Sequence, residues 1–267
     1  MITDKTKKTR TLTPIDKARY ARHLSMPEIG EAGQRKLAFV KVLVIGAGGL
    51  GSPAAYYLAA AGVGTVGIVD SDKVEVSNLQ RQLLHFTKDI GRYKVDSAGE
   101  KLSALNPGIV IEKYCKRLGR GNAAGLMSKY DFVIDATDNF DSKMLIADAC
   151  YKAKKPYSHA GILKFSGQTM TVIPGKTACY RCVFETVPPH TKGAVPQGPL
   201  GFVPGVVGAI QASEAVKYII GKGTLLTDCL LVVDCFAGNF RKVKLNRNAS
   251  CLLCGNVRRK VTGSVAG

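Results

Sequence analysis

The chain has 267 residues, enough to bury a substantial core without covalent staples, as one large domain or two small ones. Its 38 Lys and Arg against 20 Asp and Glu leave a net charge of +18, which points to an acidic partner or ligand unless it is simply lysine-rich surface. The aromatic residues are not interleaved with the basic ones, which argues against a stacking platform for single-stranded nucleic acid; no apolar run follows the basic residues 1–10, so no secretory signal is expected and a cytoplasmic location is.

Residues 1–13 read as a flexible tail, 14–255 as a single domain and 256–267 as a second tail. Residues 16–24 and 28–38 read as short helices. Val42-Leu43-Val44-Ile45 is an apolar, β-branched run and reads as a buried strand. It breaks at Gly46-Ala47-Gly48-Gly49-Leu50-Gly51, the spacing G-x-G-x-x-G, and residues 52–61 continue as a helix. A second strand at 66–69 ends in Asp70. Glycines in such a turn let backbone amides approach a phosphate at the helix N-terminus, and an acid at the end of the next strand can hold ribose hydroxyls. Residues 42–69 carry no charge and could cross a bilayer by length alone, but seven glycines and a complete nucleotide-loop pattern fit two strands and a helix far better, so no membrane span is expected.

The stretch from Asp72 to Gln82 is polar and aperiodic. Placed just beyond a nucleotide strand, its side chains, among them Asp72, Ser77, Asn78, Arg81 and Gln82, can reach phosphates. Gly91 opens a helix at 92–104, with Val95, Ala98, Leu102 and Leu105 on one face. Lys94 lies in its first turn, where a cation opposes the helix dipole. An anion is the obvious reason; a lysine that merely faces solvent is the alternative. After the turn Asn106-Pro107-Gly108, residues 109–114 read as a strand, 122–128 as a helix and 131–135 as a strand, followed by Ala136-Thr137-Asp138-Asn139. Ligands of open parallel sheets bind outside the carboxyl ends of the strands. Asp70 and Asp138 both lie there and can hold ribose and a magnesium–triphosphate respectively. A helix at 140–152 and a strand at 156–159 follow, with His159 read as packed rather than ligating. The alternation predicts a Rossmann-like, doubly wound, mostly parallel α/β sheet.

The rhythm then changes. Strands at 167–173 and 230–235 lack intervening helices and read as an added antiparallel part. Residues 193–213 are uncharged, with five glycines and three prolines, and read as a long irregular crossover of the kind that forms lids; residues 207–220 read as a helix.

Four of the eight cysteines form two C-x-x-C pairs, Cys179-Tyr-Arg-Cys182 and Cys251-Leu-Leu-Cys254. Each pair can chelate one side of a metal, and two pairs complete a tetrahedral thiolate site, so a zinc site is expected. Four protein ligands leave no open position, which makes the zinc structural. Core packing is the default for the other four.

The run Arg19-Tyr-Ala-Arg22-His, the glycine loop, Asp70, Ser77-Asn-Leu-Gln-Arg81-Gln82, Lys94, Ala136-Thr-Asp138-Asn139 and the two cysteine pairs together resemble the ThiF/MoeB/HesA family, bacterial relatives of ubiquitin-activating enzymes, over nearly the whole chain. The resemblance implies a homodimer that uses Mg-ATP to adenylylate the C-terminal Gly-Gly tail of a ubiquitin-like sulfur carrier protein. An acyl-adenylate and pyrophosphate form ahead of a thiocarboxylate, in thiamine, molybdopterin or sulfur amino-acid biosynthesis. It further implies that Gly49 lies against the nucleotide, Asp70 holds the ribose, Asn78 and Arg81 contact phosphates, Lys94 stabilises charge on the α-phosphate, Asp138 holds magnesium, and Arg22 enters the neighbouring subunit's site. Many family members carry a cysteine in the crossover; here the stretch from Lys192 to Gly205 has none. The expectation is therefore an enzyme that stops at adenylylation without a thioester, with a separate sulfur donor and no rhodanese-like extension. An NAD-dependent oxidoreductase would explain the glycine loop and Asp70, but not Asn78, Arg81, Lys94 and Asp138 as a set, nor four paired cysteines. A zinc and nucleic-acid-binding protein would explain the charge and the cysteines, but has no use for Asp138.

Overall fold

The computed structural model describes residues 11–185 and 198–255. Most of the two expected tails, and residues 193–197 of the expected crossover, lie outside the described residues. Nine helices and eight strands occur in the described residues: α1 (Pro14–Arg19), α2 (Ala21–Leu24), α3 (Gly30–Phe39), β1 (Lys41–Ile45), α4 (Gly51–Ala60), β2 (Thr65–Val69), α5 (Lys94–Leu105), β3 (Val110–Tyr114), α6 (Ala123–Met127), β4 (Phe132–Asp135), α7 (Phe140–Ala153), β5 (Tyr157–Leu163), β6 (Ser166–Val172), α8 (Tyr180–Val183), α9 (Phe202–Ile220), β7 (Cys229–Asp234) and β8 (Asn239–Lys244). Short 3-10 turns lie at Val76–Asn78 and Thr87–Asp89.

One sheet runs in the order β3-β2-β1-β4-β5-β6-β7-β8. The first five of these strands are parallel and the last three add on antiparallel, which is the expected doubly wound sheet with its antiparallel extension. The chain leaves β1 toward β2 on one side and later returns to lay β4 on the other, so the strand order reverses at β1 and opens a crevice beyond its carboxyl end.

The period of two along β1 explains its apolar run. Val42 and Val44 face a core built with α3, α4, α5 and α9, through Leu37, Leu58, Leu102 and Val207. Leu43 and Ile45 face the opposite core with α6 and α7, through Leu126, Met127 and Ile146. A strand covered on both faces has no polar side to show.

Several elements depart from the sequence expectation. The chain is already engaged at Leu12, which is buried, and Thr13 closes a capping box with Asp16, so these two residues belong to the folded domain. The first expected helix is two, broken at Tyr20, which is buried and accepts a hydrogen bond from Asn106 Nδ2 at 2.8 Å. Helix α9 begins at Phe202, so much of the stretch read as an irregular crossover is helix. Pro204 falls in its first turn, where a missing N–H costs nothing, and the poor helix formers Gly205 and Gly208 masked the rest. Strand β8 has no counterpart in the sequence reading: it is an edge strand, almost wholly exposed, and carries no apolar alternation. No described helix is long and apolar enough to cross a membrane.

Candidate nucleotide site and cysteine cluster

A cavity of about 690 Å³ opens at the carboxyl ends of β1, β2 and β4, within the size range of small-molecule sites. Gly46 and Gly51 shape its floor. Gly46 has φ +98°, and a Cβ there would lie 2.7 Å from the Ala136 carbonyl oxygen. A Cβ on Gly51, the first residue of α4, would collide with the Gly46 carbonyl oxygen, so only glycine lets the loop fold back on itself at these two positions. Gly46, Gly48 and Gly49 line the cavity; Gly51 lies behind them.

Asp70 follows β2. Its carboxylate accepts the Ala47 amide at 2.8 Å and the Asp72 amide at 2.8 Å, which fixes it on the cavity wall with acceptor capacity to spare for hydroxyl donors. Lys94 is buried at the first position of α5. Its placement follows from a short backbone pairing in which the Lys94 amide donates to the Asp72 carbonyl and the Val74 amide to the Arg92 carbonyl, each at 2.9 Å. The Lys94 ammonium meets the Asp72 carboxylate at 3.1 Å. The anion that offsets the unfavourable dipole is thus a side chain of the same chain, one that is itself largely exposed and free to yield to a ligand.

Arg81, half-buried, braces its guanidinium on the Ser77 carbonyl at 2.9 Å and lines the cavity. Gln82 is buried beside Gly48, and its Oε1 is an acceptor without a partner. An orphaned buried acceptor in a cavity wall fits a ligand that brings a donor. Asp138 and Asn139 lie exposed on the opposite wall, where Asn139 Oδ1 caps α7 by accepting the Ser142 amide at 2.9 Å.

Besides Gly51, three expected residues are not brought to the cavity wall. Ser77 is exposed, its hydroxyl 3.4 Å from Glu75 Oε2. The Asn78 side chain folds back on its own turn, accepting the Glu75 amide at 3.1 Å. Arg22 is exposed on α2, which packs on α3, and is not among the residues that line the cavity. The structure adds Lys116 and Arg117, from the loop after β3. Their signal was available: they follow a strand neighbouring β2 in a parallel sheet, at the end where ligands bind. Arg81, Lys94, Lys116 and Arg117 give the cavity a cationic lining, and Asp70, Asp72 and Asp138 supply acids around it. A second, more open groove of about 580 Å³ runs along α5 and β3. Of its cations, Arg92 pairs with Asp89 and Lys113 with Asp96, and Lys73 lies over the Tyr93 ring.

Beneath Asp138 lies a buried polar group. Asp135, at the end of β4, accepts the Thr137 amide at 3.1 Å and hydroxyl at 2.6 Å, and His159 Nδ1 donates to it at 3.0 Å. Burial would push the Asp135 carboxyl up, but Lys143, His159 and Thr137 outweigh it and hold it at about 2. Burial lowers His159, which stays neutral and rests against the Tyr180 ring at 4.5 Å. It is a packed histidine.

Next to Tyr180 in the chain, Cys179 joins Cys182, Cys251 and Cys254 in a cluster whose sulfurs lie within 4.8 Å of one another. Neighbouring Sγ atoms are 3.7 Å (Cys179–Cys182), 3.6 Å (Cys179–Cys251) and 3.3 Å (Cys182–Cys254) apart. A tetrahedral zinc with sulfurs at ~2.3 Å spaces them at about 3.8 Å, so the set fits such an ion. The Asn248 amide points at Cys182 Sγ from 3.4 Å, as a donor to a thiolate would.

The ThiF family model matches residues 20–253. The chain belongs to the ThiF family. This ThiF protein is 43% identical to the sulfur carrier protein adenylyltransferase of Thermus thermophilus, with 89% of this chain and 90% of the relative covered. It is 43% identical to the adenylyltransferase and sulfurtransferase MOCS3-1 of Zea mays, where 89% of this chain spans 51% of the relative. Among solved structures, E. coli MccB with MccA-N7isoASN superposes with a TM-score of 0.82 at 23% identity, covering 90% of this chain and 75% of that one, which shows the shared fold. The oxidoreductase reading of the glycine loop finds no support among these relatives.

Proposed function

We propose that this ThiF protein uses Mg-ATP to adenylylate the C-terminal glycine of a ubiquitin-like sulfur carrier protein. The observation that carries the reading is the convergence of Asp70, Arg81, Lys94 and Asp138 on one cavity at the reversal of strand order, in a chain whose relatives are named as adenylyltransferases. The reaction brings two anions together: the carrier carboxylate attacks the α-phosphate, the bond to the β-phosphate breaks, and pyrophosphate leaves. Catalysis is then mostly positioning and charge neutralisation. Asp70 receives the ribose hydroxyls. Arg81 meets the phosphates. Lys94, released from Asp72, stabilises charge building on the α-phosphate. Asp138, an exposed carboxylate facing this cationic lining, is the residue that would hold magnesium, and the metal would supply charge neutralisation of the triphosphate. The four cysteines would hold zinc and tie the segment around residues 251–254 to the start of α8. Arg22, absent from the cavity lining of its own chain, would act in a second copy of a homodimer. With no cysteine between Lys192 and Gly205, the enzyme stops at the adenylate and a separate protein or free sulfide delivers sulfur; a trapped carrier–enzyme thioester on any cysteine would overturn that part.

The test is ATP–pyrophosphate exchange with a carrier ending in Gly-Gly, beside titrations with Mg-ATP and NAD. Exchange that needs the carrier and is lost in Asp138→Ala supports the reading. Tight NAD binding indifferent to Asp138 would sink it.

A further inference from the structure

Lys143 is buried in the first turn of α7, where a cation opposes the dipole and an apolar side chain would cost less to bury. Its ammonium is surrounded by oxygens from separate parts of the chain. It donates to the Thr137 carbonyl at 2.6 Å and to the Ala160 carbonyl of β5 at 2.6 Å, and it lies 3.5 Å from Asp135 Oδ2. Burial pulls its pKa down and Asp135 opposes that pull; two carbonyls and a carboxylate are a donor's surroundings, which favour the ammonium form. The Thr137 carbonyl belongs to the peptide that links Thr137 to Asp138. Asp135 grips the same residue through its amide and hydroxyl. Thr137 is thus held through its amide, hydroxyl and carbonyl, whereas among the described residues the exposed Asp138 carboxylate accepts one hydrogen bond, from Asn139 Nδ2 at 3.3 Å. The aim of that carboxylate comes from the backbone beneath it, and Lys143 holds that backbone.

We infer that Lys143 is a positioning residue for Asp138: it fixes the turn from which Asp138 faces the cavity, and thereby sets the affinity of the site for the magnesium form of ATP. The inference rests on the proposed role of Asp138. A purely structural lysine, one that merely joins β4, β5 and α7, would affect folding stability and leave the metal dependence of nucleotide binding alone.

Calorimetry of ATP binding, with and without magnesium, on the intact protein separates the two. The panel is wild type, Lys143→Met, Lys143→Gln, Lys143→Arg and Asp138→Ala, with a thermal melt of each. Removing a group that orients a metal ligand costs about 10- to 100-fold in metal affinity. The expected result is a loss of about tenfold or more in the magnesium-dependent part of ATP affinity for the Met and Gln variants, magnesium-free binding within about twofold of wild type, and recovery in Lys143→Arg. Combining Lys143→Gln with Asp138→Ala should add no further loss in magnesium dependence, because both act through one carboxylate. Wild-type magnesium dependence in a folded Met or Gln variant overturns the inference, whatever the melting temperature. So does failure of both to fold, which would make Lys143 a requirement of the whole domain. If instead wild-type binding is indifferent to magnesium, or Asp138→Ala leaves it unchanged, the role of Asp138 itself is wrong and the fault lies upstream.

Discussion

Glu112 of β3 shows how a single carboxylate contributes to the stability of this sheet. Lys41 Nζ donates to it at 2.8 Å, Tyr130 Oη at 2.6 Å and Tyr114 Oη at 2.8 Å. Burial would raise its carboxyl, but these donors outweigh burial and hold it at about 2, against an ordinary 4.5. A lowered acid pKa gives stability that is complete above the unfolded value and lost as pH falls through the folded one. Acid denaturation should therefore steepen between 4.5 and about 2, and Glu112→Gln should flatten that limb while costing roughly 1–2 kcal/mol at neutral pH, after discounting for the exposed Lys41. Urea melts across that pH range check it. Gly51→Ala is the harsher change. Its methyl group has no room against the Gly46 carbonyl, and a loss of about 3 kcal/mol or more is expected in the same melts. At this scale the sequence was informative wherever a residue is unusual for its place: Gly46, Asp70, Arg81, Lys94 and Asp138 stand out by type, and Gly46, Asp70 and Lys94 sit at the ends of regular elements. It was silent on partners that meet through space. Nothing in a linear reading pairs Lys94 with Asp72, or Lys143 with carbonyls of Thr137 and Ala160, because those contacts exist only once β4 and β5, or the strand-like segments around residues 72–74 and 91–94, lie side by side.

Among the elements, the cysteine cluster makes the clearest prediction. Two C-x-x-C pairs, 69 residues apart in sequence between Cys182 and Cys251, meet at the start of α8. Thiolate zinc sites contribute on the order of 10 kcal/mol of apparent binding energy. The purified protein should carry one zinc per chain by elemental analysis. Cys251→Ser, or prolonged chelation, should lower the melting temperature and open the region around residues 245–255 to proteolysis before the parallel half of the sheet unfolds. This cluster was legible because ligand spacing is local. Helix α9 was half legible: its apolar positions Ala215, Ile219 and Ile220 gave away the later turns, but the glycines and proline of its start look like loop, and only packing on α4 and the sheet makes them helical. Strand β8 was illegible. An edge strand exposed to water has no buried face, hence no period to read.

The whole molecule raises the question of what completes the cavity. Arg22 resembles a residue that serves a neighbouring subunit, and in this fold it does not line the cavity of its own chain. Arg22→Ala and Asp138→Ala proteins should each be inactive in pyrophosphate exchange. When they are mixed and allowed to exchange subunits, activity should return to about a quarter of wild type, since half of the chains enter mixed dimers and each mixed dimer holds one intact site. Persistent inactivity of the mixture, with mixed dimers verified, would place Arg22 outside the reaction.

Among the described residues, the antiparallel extension leaves β8 as the last strand of the sheet. An unpaired strand edge is a template on which another copy can stack. Here six residues carry Arg241, Lys242 and Lys244, so two such edges approaching to the ~4.8 Å spacing of paired strands would press like charges together. Part of the net charge of +18 thus serves as a guard against self-templating. A guard made of charge weakens as ions gather around it: added salt shortens its reach to about 3 Å at 1 M, and the protein should lose colloidal stability there sooner than its fold gives way.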